Sequence, residues 1–225
     1  MIDKPVFRIA IDGPSGAGKS TIAKIIAKKL DIDYIDTGAM YRAIGLKITR
    51  DDIPMEEGEA LSAMLDNTDI DFNKGDVILD GKIVNDLIRT QEISKAASDC
   101  SALPPVRAKL VELQRNMGKT KSVIMDGRDI GTNVLTDAEF KFFLTADAEE
   151  RARRRFEELI QKGEEHSYET ILAQIKERDH NDMTRALNPL RKADDALEVD
   201  STHMTIQQVV DYICNIVEGS GERLN

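Results

Sequence analysis

Val6-Phe7-Arg8-Ile9-Ala10-Ile11-Asp12 runs directly into Gly13-Pro14-Ser15-Gly16-Ala17-Gly18-Lys19-Ser20, and that junction decides the fold. The first run is mostly apolar and β-branched, which predicts a buried strand. The second satisfies Gly, four residues, Gly-Lys-Ser, the pattern of a phosphate-binding loop. From Thr21 onward, Ile22, Ile25, Ile26 and Leu30 fall at helical spacing. Strand, loop and helix in this order give the glycines a physical meaning. Gly13, Gly16 and Gly18 let successive N–H groups turn toward phosphate oxygens, and the helix N-terminus adds partial positive charge. Lys19 is expected to reach β and γ phosphates, and the Ser20 hydroxyl to take a magnesium position directly.

The chain has 225 residues, which allows one sizeable α/β domain carrying insertions. Its formal net charge of -10 sets the average field against duplex nucleic acid and anionic membrane, so neither is an expected partner. An anionic ligand must then be held by local positive charge. Cys100 and Cys214 stand far apart without metal-ligand spacing, which predicts buried free thiols in a reducing cytoplasm and no disulfide. No apolar run approaches the ~18 residues of a spanning helix, and no basic-then-apolar leader precedes the first strand. A cytoplasmic monomer is expected.

Further along, apolar runs alternate with helical segments, which favours a parallel sheet with helices on both faces. Asp33-Tyr34-Ile35-Asp36 reads as a second strand, and the spacing of Met40, Ile44 and Ile48 predicts a helix over 39–50. Three more strands follow at 121–126, 140–144 and 196–200. Residues 37–120 are more than a single crossover helix needs. Asp69-Ile70-Asp71-Phe72, Asp76-Val77-Ile78-Leu79 and Lys82-Ile83-Val84 read there as a small antiparallel sheet, joined by turns at 73–75 and 80–81. Helices are predicted over 93–101 and 106–117, the second opened by Pro104-Pro105. A helical hairpin is expected over 147–162 and 168–186, broken at Gly163, and a last helix over 205–217 carries Ile206, Val209, Val210, Ile213 and Val217 on one side.

Charged residues then gather in patterns of their own. Asp126-Gly127-Arg128-Asp129 ends the third strand, at the carboxyl edge where doubly wound sheets bind ligands. Asp126 suits a water-mediated magnesium contact and Arg128 a phosphate, although the same residues also suit a solvated turn. Arg178, Asp182 and Arg185 share a helix face at i, i+4, i+7, as do Arg151 and Arg155 at i, i+4. Either set is a salt-bridge ladder or an anion grip, and the phosphate loop supplies the anion. Thr37 and Arg42, around a helix start, grip a second phosphate or simply cap the helix. His166, His180 and His203 show no metal spacing.

Taken together, 11–20, 36–42 and Asp126-Gly127-Arg128-Asp129-Ile130-Gly131-Thr132 resemble the bacterial cytidylate kinase family, within the nucleoside monophosphate kinases of the P-loop fold. Glu150-Arg151 with Arg155, Ile175-Lys176-Glu177-Arg178-Asp179, Asp182, Arg185, Pro189-Leu190 and Ala193-Asp194-Asp195-Ala196 extend the resemblance over nearly the whole chain. It implies transfer of the ATP γ-phosphoryl group to CMP or dCMP with Mg2+. It also implies a five-stranded parallel sheet flanked by helices, in a single domain with core 1–37, 105–150 and 187–218. An acceptor region over 38–104 with a β insert at about 66–88, a helical lid over 151–186 and a frayed tail over 219–225 complete it.

Carried over residue by residue, Gly13, Pro14, Ser15, Gly16, Ala17, Gly18, Lys19, Ser20 and Thr21 hold ATP, with Arg151 and Arg155 on adenine and the donor phosphates. Thr37, Tyr41, Arg42, Arg128 and Arg185 hold the acceptor phosphate, Arg178 and Asp182 its ribose, and Ser98, Arg107 and Asp129 read cytosine. Lys19, Arg128, Arg155 and Arg185 are the catalytic set. Two alternatives stand beside this expectation: a kinase of another nucleoside monophosphate or a small alcohol, and a noncatalytic nucleotide switch.

Overall fold

The computed structural model describes residues 6–73, 75–161, 163–164 and 166–221. In chain order the elements are β1 (Arg8–Asp12), α1 (Lys19–Leu30), β2 (Asp33–Asp36), α2 (Thr37–Arg50) and α3 (Glu59–Asp66). Then come β3 (Ile70–Asn73), β4 (Asp76–Leu79), β5 (Lys82–Ile83), α4 (Gln91–Cys100) and α5 (Pro104–Met117). The chain finishes with β6 (Val123–Gly127), β7 (Phe140–Thr145), α6 (Ala148–Gln161), α7 (Tyr168–Thr184), β8 (Leu197–Asp200) and α8 (Ile206–Gly221). Two compact units divide them: Met1–Tyr34 with Lys121–Asn225, and Ile35–Thr120.

A five-stranded sheet in the order β2-β6-β1-β7-β8 organises the first unit. β1 sits at its centre, parallel to β6 with Ile9 opposite Ile124 and parallel to β7 with Ile11 opposite Phe142. A central parallel strand is covered on both faces, so its sequence is apolar without alternation, as in Ile9-Ala10-Ile11. Ile22, Ala23 and Ile26 of α1 and Val209, Val210, Ile213 and Val217 of α8 pack with Ile9, Ile11, Ile124, Phe142 and Leu144 in one cluster. Each fully buried aliphatic side chain contributes roughly 1.5–3 kcal/mol, so this cluster fixes the strand from which the phosphate loop departs. Gly13 makes the departure possible: at φ +152 its backbone lies so close to β7 that a Cβ would stand 1.9 Å from the Leu144 carbonyl oxygen.

The second unit packs α2 against α4 and adds a three-stranded antiparallel sheet, β3-β4-β5. Ile70 faces Leu79 and Phe72 faces Val77. Asp80 and Gly81, at φ 50 and 77, make the tight β4–β5 turn. α3 is absent from the sequence-based expectation. It is a two-turn helix without a side-chain cap, and its buried Leu61, Met64 and Leu65 are too short a periodic signal among acidic and turn residues.

Several boundaries differ from expectation. α2 begins at Thr37, not Ala39, because the Asp36 side chain accepts the Ala39 N–H at 2.8 Å, so Asp36 rather than Thr37 is the cap. α7 stops at Thr184, leaving Arg185 with extended backbone at φ -58 and ψ 141. α8 continues through Gly219 to Gly221, and 222–225 of the expected tail lie outside the described residues, as do Lys74 and Lys162 of the expected turn and hairpin. No helix among the described residues is long and apolar enough to cross a membrane. Cys100 and Cys214 are buried free thiols.

Candidate functional site

The phosphate loop spans the end of β1 and the start of α1, where Gly18 at φ 84 swings the chain into the helix. Lys19 is buried and its Nζ donates to the Pro14 carbonyl at 2.7 Å, inside its own loop. Burial, then the charge of Arg128, holds the Lys19 ammonium well below the ordinary lysine range; Asp126 pulls the other way and Arg178 adds to the lowering. Three cations therefore act on one another here, an arrangement that a polyanion relieves.

Beside the lysine, the Ser20 hydroxyl donates to Asp126 Oδ2 at 2.8 Å and the Tyr34 hydroxyl to Asp126 Oδ1 at 2.8 Å. Among the described residues no group of three or more His, Cys, Asp or Glu could hold a metal. One hydroxyl and one buried carboxylate are hard oxygen donors, few in number, which fits Mg2+ shared with substrate phosphates and water.

Asp126 is followed by the turn that carries Arg128 and Asp129. Arg128 Nε donates to Asp182 Oδ2 of α7 at 2.7 Å. Burial opposes the Asp182 charge, but Arg128, Arg178 and Arg185 outweigh it and hold the carboxyl below its usual range. Arg185, just past α7, donates through Nη2 to Asp129 Oδ1 at 3.1 Å and to the Asn188 carbonyl at 2.6 Å. Asp129 also accepts from Asn133 Nδ2 at 3.1 Å. The expected face of Arg178, Asp182 and Arg185 is thus realised although Arg185 has left the helix: its Nη1 stands 3.9 Å from Asp182 Oδ1.

The arginines of α6 part company. Arg151 is buried and bonded to protein acceptors, Ala146 O at 2.9 Å, Ser15 O at 2.8 Å and Asp179 Oδ2 at 2.6 Å. Arg155 is exposed and paired with Glu158 at 2.8 Å.

Within the second unit, Thr37 is buried in the first turn of α2, and Asp36 Oδ2 accepts from Arg42 Nη2 at 3.2 Å. Arg42 Nε is buried with no hydrogen-bond partner among the described residues. Arg107, 4 % exposed, donates to the Ser101 carbonyl at 3.3 Å and lies 5.8 Å from the Tyr41 ring centroid. Ser98 is exposed on α4, its carbonyl accepting from the Ser101 hydroxyl at 2.7 Å.

Sequence reasoning missed Asp12, Tyr34, Asp36 and Asp179. Asp12 ends an apolar strand, and that lone carboxylate was its signal. Its oxygens accept the N–H groups of Ile130 at 2.8 Å and Gly131 at 2.7 Å, tying the turn after Asp129 to the phosphate-loop strand. Burial pushes its carboxyl up to about 6; those two N–H groups pull down, Asp129 pushes further up and Lys19 pulls down. A carboxyl raised on folding favours the native state at low pH, and this contribution is lost as pH rises through about 6. The stability of the native protein relative to an Asp12→Asn variant is therefore expected to fall between pH 4 and 7, by up to ~3 kcal/mol. Urea denaturation of both proteins at the two pH values checks this, and a constant difference contradicts it.

A cytidylate kinase family model matches residues 9–219. The chain is 56% identical over 214 residues to a cytidylate kinase of Caldicellulosiruptor saccharolyticus, covering 93% of this chain and 95% of the relative. It is 51% identical over 213 residues to a cytidylate kinase of Clostridium perfringens, covering 95% and 98%. Among solved structures, an uncharacterised protein of Eubacterium ventriosum shares the fold at a TM-score of 0.51 with 13% identity, covering 94% of this chain and 98% of that one. With a family model spanning the strand, loop, turn and helices that hold these residues, and relatives matching at half their positions or more, the chain belongs to the cytidylate kinase family.

Proposed function

We infer that this chain phosphorylates CMP and dCMP with the γ-phosphoryl group of ATP, giving CDP or dCDP and ADP, with Mg2+ on the donor. Phosphorylation of CMP by ATP follows from the family; the use of dCMP, the metal and the residue roles are the inference. The observation that supports it most is the Ser20 hydroxyl bonded to the buried Asp126 carboxylate at 2.8 Å beside Lys19, whose ammonium is pushed below its ordinary range by burial and by Arg128 and Arg178. The alternatives of another acceptor or a noncatalytic switch find no support among the relatives described.

Phosphoryl transfer requires two anions held in line and the charge on the moving group neutralised. The loop 13–21 holds the ATP phosphates, with Lys19 leaving Pro14 to bond them. Ser20 would hold the metal directly and Asp126 through water, and the ion would supply positive charge to the ATP phosphates. Arg128 and Arg185 neutralise the transferred group and the acceptor phosphate, the latter with Thr37, Tyr41 and Arg42. Arg178 and Asp182 take the ribose, and Ser98, Arg107 and Asp129 the base. Residues 151–186 form a lid that excludes water and presents Arg155 to the donor, while 38–104 form the acceptor region. The enzyme acts as a cytoplasmic monomer.

Asp129 accepts from the exocyclic amino group of cytosine, where uracil presents a carbonyl. An ADP-release assay is expected to show CMP and dCMP fast, UMP slow, and AMP and cytidine nearly inert. Asp129→Ala should shrink the CMP-to-UMP ratio of kcat/KM by about tenfold or more, the worth of one base-reading contact of ~1–3 kcal/mol. Cytidine faster than CMP would sink the phosphate assignment, and an unchanged ratio the role of Asp129.

A further inference from the structure

The backbone of Ser15, within the phosphate loop, is gripped at both its polar atoms by one ion pair. Its carbonyl accepts from Arg151 Nη1 of α6 at 2.8 Å, and its N–H donates to Asp179 Oδ1 of α7 at 3.3 Å. Arg151 Nη2 and Asp179 Oδ2, 2.6 Å apart, close the ring. A third arm, Arg151 Nε to the Ala146 carbonyl at 2.9 Å, ties the ring to the segment after β7. Arg151 is 5 % and Asp179 9 % exposed. Gly16, the next loop residue, lies against the same structure: a Cβ there would stand 3.5 Å from Arg151 Cβ and 3.9 Å from Ile175 Cδ1.

A buried charged pair of this kind is costly to desolvate and is worth little to stability by itself, so its use lies in the geometry it imposes. Two consequences follow from where it sits. It settles the orientation of the Ser15 N–H and carbonyl, so the remaining loop N–H groups are presented to phosphate without reorganisation. It also fixes α7 to the loop at Asp179, the residue next to Arg178 and one turn before Asp182. The hairpin of α6 and α7 is stiffened by its own cluster, Ala152, Leu159, Ile171 and Ile175.

We propose that Arg151 and Asp179 are positioning residues for phosphoryl transfer, a clamp that presets the phosphate loop for ATP and locks α7 in register with it. The inference rests on the loop being the ATP cradle. It differs from the resemblance-based expectation for Arg151, whose guanidinium acts through the loop backbone rather than on adenine or the donor phosphates. Asp179 has a role beyond that of a neighbour of Arg178.

A double-mutant cycle in the full chain tests it, with Arg151→Lys, Asp179→Asn and the pair. Lysine keeps the charge but cannot serve three acceptors in a fixed fork, and asparagine keeps an acceptor but loses the charge. Each single change is expected to lower kcat/KM for ATP by about tenfold or more, chiefly through KM, in protein whose melting curve shows it folded. The double variant is expected to lose no more than the worse single one, because either change opens the ring. Losses that multiply, or singles with unchanged ATP kinetics, overturn the proposal. If Asp179→Asn does not fold, Asp179→Glu takes its place in the cycle and the same outcomes decide. Native protein that turns over no CMP with ATP would instead refute the reading of the site, and equilibrium ATP binding by the same variants then decides the clamp, unchanged affinity overturning it.

Discussion

Lys19→Ala is expected to lower the rate of CMP phosphorylation on the order of 10²–10³-fold, the range found when a preorganised electrostatic donor is removed. The side chain is buried, points into its own loop and is held below its ordinary pKa by burial and by Arg128. A cation kept under such conditions is costly to the unliganded protein and is useful when phosphate charge arrives. Two measurements separate catalysis from folding. ADP release with saturating ATP and CMP should collapse, while the thermal midpoint should hold or rise, because alanine removes a buried charge along with its desolvation cost. A variant that loses activity only in proportion to lost fold contradicts the assignment.

Arg128→Ala should be similarly damaging, roughly 10²–10³-fold in kcat, with the KM for CMP raised as well. Here the structural cost is real. Arg128 and Asp182 are each less than a fifth exposed, and Arg128 Nε donates to the Asp182 carboxylate at 2.7 Å. Removing the guanidinium leaves that carboxylate short of its main partner, at a cost of roughly 1–3 kcal/mol. It also strengthens the hold on the Asp182 proton: with Arg128 gone, the carboxyl moves back up and the variant's kcat/KM for CMP should fall earlier as pH is lowered. Steady-state kinetics across pH 5 to 8 read both effects. Native-like kcat in the folded variant rules out a role in transfer.

These expectations came from particular stretches of sequence, and their physical legibility varies. Val6 to Leu30 could be read to within two residues, because an apolar strand, a glycine loop and a helical stripe are local patterns that tertiary contacts only reinforce. The strand β1 and the helix α1 stand there. Arg128, Asp182 and Arg185 were legible as a set, yet their pairing was not. Which carboxylate meets which guanidinium depends on where α7 ends, and Arg185, just past that end, bonds the Asn188 carbonyl in a contact that helix periodicity does not encode. The partners of Asp12 and Asp179 were not legible, although a lone carboxylate ending an apolar strand marks Asp12: each acts through backbone N–H groups of a segment more than a hundred residues away, Ile130 and Gly131 for the first and Ser15 for the second. Arg151 and Arg155 looked alike at i, i+4, but one is buried in a ring of acceptors and the other is an exposed partner of Glu158. Spacing gives a shared direction on a helix; burial, which decides their chemistry, comes from what packs against it.

In the structure the cations proposed to meet phosphate rest on protein partners: Lys19 on Pro14, Arg128 on Asp182, Arg185 on Asp129. Bound nucleotides are expected to draw them off, and release by Arg185 to free Asp129 for the base. A crystal structure with ADP, CMP, Mg2+ and a planar fluoride mimic of the phosphoryl group tests this directly. Lys19, Arg128 and Arg185 should each stand within hydrogen-bonding distance of a phosphate or fluoride atom, with Asp129 on the cytosine amino group. The same side chains still bonded only to Pro14, Asp182 and Asp129, with both nucleotides in place, would contradict it.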